Sequence, residues 1–538
     1  MLKNERGSTL LTVMLMIFVF SILGLSILSV SLGGSNRTSI RENEVEDSLT
    51  SINALNIGVA TIKKFVNDYS KQMGNPDDFS KQLDSFIHSS NDEAKNEFVI
   101  TNLTESIEYK DKINPSKDYT RVLLVKSNID GSKSFTQKVY ITGMPSFLKY
   151  ALGSKGELTL NGSVYLQKGN LFANEGLKIS NQARYIYHNE KKEVLTTFPS
   201  VSKNSLLYAE EGTQLEYCQS TCYQGDNELP FQALNVNDIS RVFNPNAPTF
   251  SIDDTTFVDV DIEKTFKDKL KDAGFLEENT DPYNLSVEEI IKNGSHNSSI
   301  SNVTSFDELN EDANIKSYLY TSPNADKNAY IDTNNLIIDK SKWLIIDGNA
   351  YFENNGSMTD SDESEPSMNV SANILVTGDV TIKGKIAFDS TMYVLGKTTI
   401  NNVDLTGYNN GELILMSQKT LDIARINKFQ NPDSTKLDDV NSIKAYLYTN
   451  ENASVYAVGS YVYIDGGIFS NGNLEINAFR GKTEEGENDL NFTPEEDEKS
   501  SRLIVRNNKS LFINQSQGLP RINQLEVLTD LMEKDKNS

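Results

Sequence analysis

Apolar residues dominate one long stretch near the start of the chain. Ser8–Leu32 contains no charged residue and no proline, and basic residues flank it at Lys3, Arg6, Arg37 and Arg41. A helix of this length measures about 37 Å at about 1.5 Å per residue, which exceeds the ~30 Å hydrocarbon core of a bilayer. The pattern predicts a transmembrane helix over residues 8–33, with the preceding residues 1–7 as a basic leader on the cytoplasmic side.

A second helical pattern follows the apolar stretch. Apolar residues recur every three or four positions, at Val45, Leu49, Ile52, Leu55, Val59, Ile62 and Val66. This spacing predicts a stalk helix over residues 34–75 with one buried stripe, ended by Gly74–Pro76. Two interpretations of the stripe remain open: it packs against the first domain of the same chain, or against helices of partner subunits.

Residues 76–143 are predicted to form a small β-rich module. β-branched and aromatic runs indicate strands at 98–100, 107–109, 119–125 and 135–141. Asp130-Gly131 between the last two runs is typical of a hairpin turn. A short helix near residues 79–87 is expected to cover this sheet.

Short strands bounded by Gly and Asn then occupy residues 144–200 and return over residues 331–480. Five similar boxes share an apolar core that ends in Gly or Ser, and they lie at 343–348, 374–378, 392–396, 413–417 and 455–459. A recurrence of about twenty residues predicts a right-handed parallel β-solenoid, whose turns bury their insides by stacking. An antiparallel sandwich of short strands is the alternative.

The solenoid prediction assigns each side chain of a box to a face. One inner wall is predicted from Ile374, Val376, Met392, Val394, Leu413 and Leu415, while Tyr393 is expected outside because side chains alternate along a strand. Residues 201–330 break the pattern and are predicted as an irregular insertion with a helix at 263–273. Residues 481–538 are predicted as an acidic loop and C-terminal tail. The expected fold class is therefore mostly β with an N-terminal helix.

The N-terminal segment KNERGSTLLTVMLMIFVFSILGLSIL resembles the start of the PilX-like family of type IV pilus minor components, in which a basic leader ending in Arg-Gly precedes a Leu-rich helix. The resemblance covers about the first 70 residues. It implies that a prepilin peptidase cuts after Gly7 and leaves Ser8 as the new N-terminus. Major pilins carry a glutamate at the position of Thr12, so the resemblance implies a tip, initiating or membrane-resident component. A cleaved signal peptide and a plain signal anchor are the alternatives.

Composition narrows the range of functions. The 538-residue chain has 51 Lys and Arg against 75 Asp and Glu, a net charge of −24. Such a surface repels polyanions, so we exclude nucleic acid as a partner. The abundance of Asn, Ser and Thr and the presence of only two cysteines favour a chain whose bulk works outside the cell membrane.

Candidate chemistry is sparse. Cys218 and Cys222 are the only cysteines, and the three histidines are scattered. The cysteine pair is compatible with a local disulfide, free thiols or half of a metal site, and we expect the disulfide. No phosphate-binding loop and no nucleophile elbow occur, so no cofactor and no metal are expected.

Carboxylates are the remaining candidates for catalysis, because many glycosidases work with Asp and Glu alone. Those on or beside the boxes are Asp347, Asp379, Asp389, Asp404 and Asp465. Turns favour Asp for backbone reasons, so we expect no enzyme. The acidic loops at 359–365 and 494–498 lack the spacing of a calcium loop and are expected to be solvated insertions.

The sequence thus predicts a non-catalytic, membrane-anchored minor pilin-like component of type IV pilus assembly or surface display, with the bulk of the chain extracellular. Its expected partners are other pilin-like subunits, pilus assembly proteins, a prepilin peptidase and the membrane, contacted through residues 8–33. A cell-surface polysaccharide is a further candidate partner. An anchored extracellular β-helix protein that binds or cleaves polysaccharide, and a surface adhesin, are the alternatives.

Overall fold

The computed structural model describes residues 6–71, 76–94, 97–110, 113, 115, 119–129, 134–143, 146–188, 190–210, 212–225, 227–252, 260–277, 279–309, 312–331, 333–354, 368–426, 429–431, 443–508, 520, 525–530 and 532–535. Two compact units divide the chain: Met1–Thr142 together with Val527–Ser538, and Gly143–Glu526. We call them the helix unit and the strand unit. The expectation of a mostly β fold is confirmed.

The α-helices are α1 (Arg6–Ser70), α2 (Pro76–Glu93), α3 (Ile262–Asp272) and α4 (Val287–Gly294). Short 3-10 helices lie at Ser146–Lys149, Val236–Val242, Pro282–Asn284, Phe306–Glu308, Tyr408–Asn410 and Glu498–Ser500. The first strands are β1 (Phe98–Asn102), β2 (Arg121–Ser127), β3 (Phe135–Thr142), β4 (Leu152–Ser154), β5 (Glu157–Gly162), β6 (Tyr165–Lys168), β7 (Leu171–Ala173), β8 (Gly176–Ser180), β9 (Gln182–Tyr187), β10 (Glu190–Leu195), β11 (Ser200–Val201), β12 (Leu206–Ala209), β13 (Gln214–Cys218), β14 (Tyr223–Gln224), β15 (Asn227–Glu228), β16 (Gln232–Ala233) and β17 (Thr249–Ile252).

The remaining strands are β18 (Ile300–Val303), β19 (Ser317–Thr321), β20 (Asn328–Ile331), β21 (Asn335–Ile337), β22 (Trp343–Asp347), β23 (Asn349–Glu353), β24 (Met368–Val376), β25 (Val380–Val394), β26 (Thr398–Gly407), β27 (Leu413–Ser417), β28 (Leu421–Ile426), β29 (Ala445–Thr449), β30 (Ala453–Ala457), β31 (Val462–Asp465), β32 (Gly467–Ser470), β33 (Leu474–Ala478), β34 (Gly481–Glu485), β35 (Leu490–Pro494), β36 (Leu503–Arg506), β37 (Glu526–Thr529) and β38 (Glu533–Lys534).

The helix unit pairs α1 with a sheet of order β1-β2-β3-β37, in which β1, β2 and β3 are antiparallel. The helix comes close to the sheet at Gly58, since a Cβ there would lie 2.7 Å from Val125 Cγ1. Helix α2 adds the fully buried Phe79 and Leu83, and its Phe86 stacks on Phe65 of α1 with ring centroids 4.3 Å apart. The absence of a side chain at residue 58 therefore lets helix and sheet share one core.

The apolar stripe of α1 packs on the same unit along its C-terminal half. Leu55, Ile62 and Val66 are fully buried, whereas Val45 and Leu49 are 59% and 56% exposed. The stripe thus divides near residue 50, with its second part against the unit's own sheet. Within the described part of the chain, no helix is both long enough and apolar enough to cross a membrane.

Two further expectations, for residues 107–109 and 481–538, differ from the structure. Residues 107–109 form turns and no strand. The region 481–538 is not simply a loop and tail, because β34–β36 belong to the strand unit and β37 joins the sheet beside β3. The short apolar runs of β36 and β37 indicate strands, but the acidic composition of the region obscured this pattern in the sequence. The predicted Asp130-Gly131 turn lies outside the described residues.

The strand unit is built from parallel ladders of short strands. We call ladder A the run β17-β12-β7-β4-β32-β29-β27-β25-β24-β22-β19-β18. Ladder B is the run β13-β8-β5-β33-β30-β28-β26-β25-β23-β20. A smaller parallel sheet, β31-β36-β6-β11, forms ladder C.

The inner side chains of these ladders form one continuous apolar cluster. Every residue that the sequence assigns to the inner wall lies in it: Ile374, Val376, Met392, Val394, Leu413 and Leu415. The alternation of side chains along each strand produces this arrangement, since every second residue points inward.

The order of strands in the ladders departs from the order of the chain. The first strands of the unit, β4 and β5, pair with its late strands β32 and β33. The prediction that residues 201–330 are an irregular insertion is therefore corrected, because β12 and β17 extend ladder A at one end and β18 and β19 extend it at the other. These strands are short and interrupted by prolines and helices, which hides their period in the sequence.

The outer face of ladder A is also covered, which corrects the expectation for Tyr393. This residue is fully buried, and its ring centroid lies 6.4 Å from that of Trp343. Lys269 of α3 places its Nζ 5.8 Å from the Trp343 ring centroid. Because α3 lies over this face, the strand is apolar on both sides.

Candidate functional sites

A cavity of about 300 Å³ opens beside the C-terminal ends of β28 and β30. Five rings line it: Tyr185, Tyr187, His188, Phe429 and Tyr456. We call it the aromatic cavity. Tyr456 comes from ladder B, whereas the first three come from the hairpin β9–β10, which projects beyond the ladder. A rigid scaffold that carries projecting loops is the usual arrangement of a binding site.

Hydrogen bonds hold the projecting hairpins β9–β10 and β34–β35 together. The Tyr185 hydroxyl donates to Asp489 Oδ1 at 2.9 Å, and the Tyr187 hydroxyl donates to the Gly486 carbonyl at 2.9 Å. Burial, together with the hydrogen bond to Asp489, raises the pKa of Tyr185, so its hydroxyl stays protonated and keeps donating at alkaline pH values where an ordinary tyrosine ionises. The two rings are therefore fixed in place at the cavity wall.

Three lining residues adopt left-handed backbone conformations without being glycine. The φ angles are +50° at His188, +56° at Arg425 and +58° at Phe429. Such conformations are uncommon for non-glycine residues and cluster at ligand clamps and active sites. His188 takes this conformation in the two-residue turn between the paired residues Tyr187 and Glu190, where a positive φ is ordinary, so Arg425 and Phe429 are the unusual positions.

Polar groups complete the lining. Arg425, Ser460 and Glu485 supply a cation, a hydroxyl and a carboxylate. Lys192 places its Nζ 5.7 Å from the Tyr187 ring centroid and 3.3 Å from Asp489 Oδ2. The cavity therefore combines ring faces with both signs of charge at its rim.

The N-terminal half of α1 is a second candidate site, for partners. Its apolar side chains are exposed in an unbroken run from Val13 to Phe20, with Phe18 at 68% and Phe20 at 69%. Consecutive positions point to all sides of a helix, so this surface is apolar all round. A helix of that kind is normally buried.

Gly7 and Ser8, the predicted processing site, lie in the first turns of α1. Nothing in the structure tests whether the bond between them is cut. Cleavage after Gly7 therefore stays a prediction.

Most of the candidate carboxylates hold structural partners. Asp465 forms two 3.0 Å hydrogen bonds with the guanidinium of Arg506. Asp347 lies 3.3 Å from Lys327 Nζ, and Asp389 pairs with Lys340. These contacts give each of the three carboxylates a structural partner.

The remaining two carboxylates have different surroundings. Asp379 Oδ1 accepts the Lys397 backbone N–H at 2.9 Å, as expected for Asp in a turn. Burial raises the pKa of Asp404, and the positive charge of Lys385 partly opposes this. Among the described residues no group of three or more His, Cys, Asp or Glu side chains is arranged to hold a metal ion.

Cys218 and Cys222 form a disulfide in the structure. The pair packs against Tyr223 and the half-buried Phe231. Of the two acidic loops, 359–365 lies outside the described residues, whereas 494–498 spans the end of β35 and the start of a 3-10 helix.

The aromatic cavity was missed by sequence reasoning. Its rings come from three separate segments, at residues 185–188, 429 and 456, and Glu485 and Leu490 of a fourth segment complete the lining. Only the run Tyr185-Ile186-Tyr187-His188 is a local signal. The rest depends on the stacking of distant strands.

No family model matches the chain, and no curated protein matches it. Among solved structures, the chain is similar to the crystal structure of competence-associated pilin ComZ from Thermus thermophilus, at 10% sequence identity and a TM-score of 0.23. The match covers 77% of this chain and 81% of that chain. A similarity of this size carries no argument about fold or function, so the resemblance to PilX-like components depends on the N-terminal residues.

Proposed function

We propose that this chain is a non-catalytic, pilin-like component of type IV pilus machinery. The exposed apolar half of α1 is the observation that carries the proposal. A soluble monomer rarely leaves a large continuous apolar surface uncovered, and in a pilus the matching helices of neighbouring subunits cover it. The Arg6-Gly7 sequence ahead of this helix supports the same assignment.

In this proposal the two halves of α1 have different tasks. Leu55, Ile62 and Val66 anchor the helix in its own unit, so the N-terminal half extends from a fixed base. A photo-cross-linker at Phe18 should therefore capture other pilin-like subunits in cells that assemble pili. The matched control is the same photo-cross-linker at Tyr330, an exposed residue of ladder B. It should not capture pilin-like subunits.

Processing by a prepilin peptidase is the decisive test. Mass spectrometry of protein co-expressed with the peptidase should give an N-terminus at Ser8, and Gly7→Leu should retain Met1. Gly24→Ala is the control in the same helix, because a Cβ there meets nothing within 4 Å. An uncleaved wild-type chain, or a start near Ser35, contradicts the proposal. Insertion of residues 8–33 in the membrane and an extracellular location for the bulk of the chain belong to the proposal and are tested by cell fractionation.

The strand unit is proposed to be a right-handed parallel β-solenoid. The parallel pairing supports this: Leu375 pairs with Tyr393, eighteen residues later, and Tyr393 with Met416. Cysteines at Asp422 and Ser454, which pair in ladder B, should cross-link on oxidation. Cysteines at Thr399 and Ser454 lie two strands apart and should not cross-link. An antiparallel sandwich predicts no cross-link in either pair.

A further inference from the structure

Two consecutive pentads of α1 repeat one pattern with opposite charge. Residues 37–41 have the sequence RTSIR and residues 42–46 have the sequence ENEVE, so each pentad has a charge at its first and last positions and an aliphatic residue at its fourth. Positions i, i+3 and i+4 of a helix share one face. The basic triplet on one face is Arg37, Ile40 and Arg41, and the acidic triplet on the other is Glu42, Val45 and Glu46.

Both triplets are exposed on the helix surface. Ile40 and Val45 are each 59% exposed, and the four charged residues of the triplets are exposed as well. Within each triplet two like charges lie one turn apart, which destabilises an isolated helix. A neighbouring helix that carries two opposite charges at the same spacing relieves this repulsion. The other triplet of the same sequence has that spacing.

We propose that the basic triplet of one copy of this chain packs against the acidic triplet of a second copy, with the two α1 helices parallel and displaced by five residues. This displacement places each member of the basic triplet opposite the member of the acidic triplet that has the same position in its pentad. The inference rests on the proposed pilin-like function, because two helices inserted in one membrane with the bulk of both chains on the same side are parallel.

Five residues is the one parallel displacement that gives both arginines a carboxylate from residues 42–47. The acidic residues of this segment are Glu42, Glu44, Glu46 and Asp47. They lie five, seven, nine and ten positions after Arg37, and one, three, five and six positions after Arg41. The two series share only the value five, and the same displacement brings Ile40 against Val45 between the two charge pairs.

The length of the apolar stretch allows this displacement. Five residues correspond to about 7.5 Å along a helix. The stretch Ser8–Leu32 measures about 37 Å and exceeds the ~30 Å hydrocarbon core by nearly the same distance. Two copies displaced in this way therefore both keep the apolar stretch across the core.

The contact joins two different faces of the helix. Five residues turn a helix by about 140°, so the two triplets point to different sides. A contact between different surfaces, combined with a displacement along the axis, does not close on itself. Each pair of copies therefore leaves one basic and one acidic triplet available, as a subunit with neighbours on both sides requires.

The experiment is disulfide cross-linking of two differently tagged full-length chains, co-expressed in membranes without a prepilin peptidase and without pili. One chain carries Ile40→Cys and the other Val45→Cys. The native Cys218 and Cys222 are bonded to each other, so the introduced cysteines are the ones that oxidation joins. A cross-linked heterodimer is expected. Ile40→Cys in both chains, which tests zero displacement, should give a yield about tenfold lower.

Charge reversal tests the pairing itself. Arg37→Glu with Arg41→Glu, added to the Ile40→Cys chain, should lower the yield about tenfold, because like charges then face each other. Glu42→Arg with Glu46→Arg in the Val45→Cys chain should restore it. The matched control reverses two exposed charges elsewhere in α1, Lys63→Glu with Lys64→Glu, and should leave the yield unchanged.

Four results overturn the inference: no cross-link between Ile40→Cys and Val45→Cys, an equal yield from Ile40→Cys in both chains, a yield that the second charge reversal does not restore, or a preference of Ile40→Cys for Asn43→Cys. The last result identifies antiparallel helices, since Arg37 then faces Glu46 and Arg41 faces Glu42. Fractionation separates these failures from failure of the proposed function. Chains that reach the membrane and do not cross-link contradict the displaced contact alone, whereas chains absent from the membrane contradict the pilin-like role.

Discussion

Val394 and Tyr393 are consecutive residues of β25 that point to opposite faces of ladder A, and both are fully buried. Val394 belongs to the inner apolar cluster, whereas Tyr393 lies on the face where Trp343 packs beneath α3. The strand is thus enclosed by its neighbours on one side and by a helix on the other. Neither position has access to water for a charged group.

We therefore expect Val394→Asp and Tyr393→Asp to destabilise the strand unit alike. A buried carboxylate without a partner costs several kcal/mol, and the aromatic contact of Tyr393 is lost as well. Urea unfolding followed by circular dichroism measures both losses. Thr381→Asp on the half-exposed outer face of ladder B, where the paired residues Tyr351 and Thr399 are uncharged, is the control and should change the free energy of unfolding by less than about 0.5 kcal/mol. A tolerated Tyr393→Asp would show that the outer face is open.

These two residues also show how far the sequence predicts the fold. The period of two places Val394 and its equivalents inside, because that depends on adjacent residues only. The same period does not predict that α3 covers Tyr393, because the two are more than a hundred residues apart in the sequence. The helix itself was predicted at 263–273 and begins and ends within one residue of that range, yet its docking surface depends on packing between distant segments.

The aromatic cavity has the same limitation. Tyr185 and Tyr456 belong to β9 and β30, which come together only because the first strands of the unit stack on its last ones. A period of about twenty residues predicts stacking between consecutive turns and cannot reveal this closure. The sequence therefore predicts the ladder architecture better than it predicts the site.

The disulfide should contribute little to stability. Cys218 and Cys222 are four positions apart, so the loop that they close is short and the entropic stabilisation should be below the ~3 kcal/mol estimated for a fifteen-residue loop. Replacement of both by Ser should lower the free energy of unfolding by less than that amount and leave the ladders folded. Chemical denaturation with and without reductant checks the prediction on the unmodified chain. Global unfolding on reduction would contradict it.

Tyr165 should make the strand unit sensitive to alkali. Burial, and secondarily the negative charges of Glu498 and Asp497, raise its pKa from 10.0 to about 12. Between these values the unfolded chain loses the proton and the folded chain keeps it, so stability is complete below pH ~10 and falls as the pH rises towards 12. A shift of two units corresponds to roughly 3 kcal/mol.

Tyr165→Phe should remove that part of the alkaline loss. The measurement is the free energy of unfolding of wild type and variant at several pH values between 9 and 12. The difference between them should change across this window and stay constant below it. Tyr330→Phe, at an exposed position, controls for the loss of one hydroxyl. A wild-type and Tyr165→Phe pair with parallel pH profiles would contradict the assignment.

A substitution at Gly153 tests whether the first strands of the strand unit stack on its last strands. It lies in β4, pairs with Phe469 of β32, and a Cβ there would come 2.5 Å from Phe469 Cε2 and 3.2 Å from Phe172 Cβ. Phe469 is fully buried, so its ring has no free space to move into. Overpacking of this kind typically costs 1–3 kcal/mol, and Gly153→Ala should lower the urea midpoint accordingly.

Gly176→Ala is the matched control for the closure. This glycine lies in β8 of ladder B, and the nearest atom to an added Cβ is Glu157 Cγ at 3.6 Å, an ordinary contact. We expect its stability to equal that of wild type or to exceed it slightly, since alanine restricts the unfolded chain. Because the two variants add the same methyl group to parallel strands, their difference isolates the contact between Gly153 and Phe469. Equal effects would mean that β4 and β32 do not stack as the ladder requires, and the joining of the chain's early and late strands would have to be abandoned.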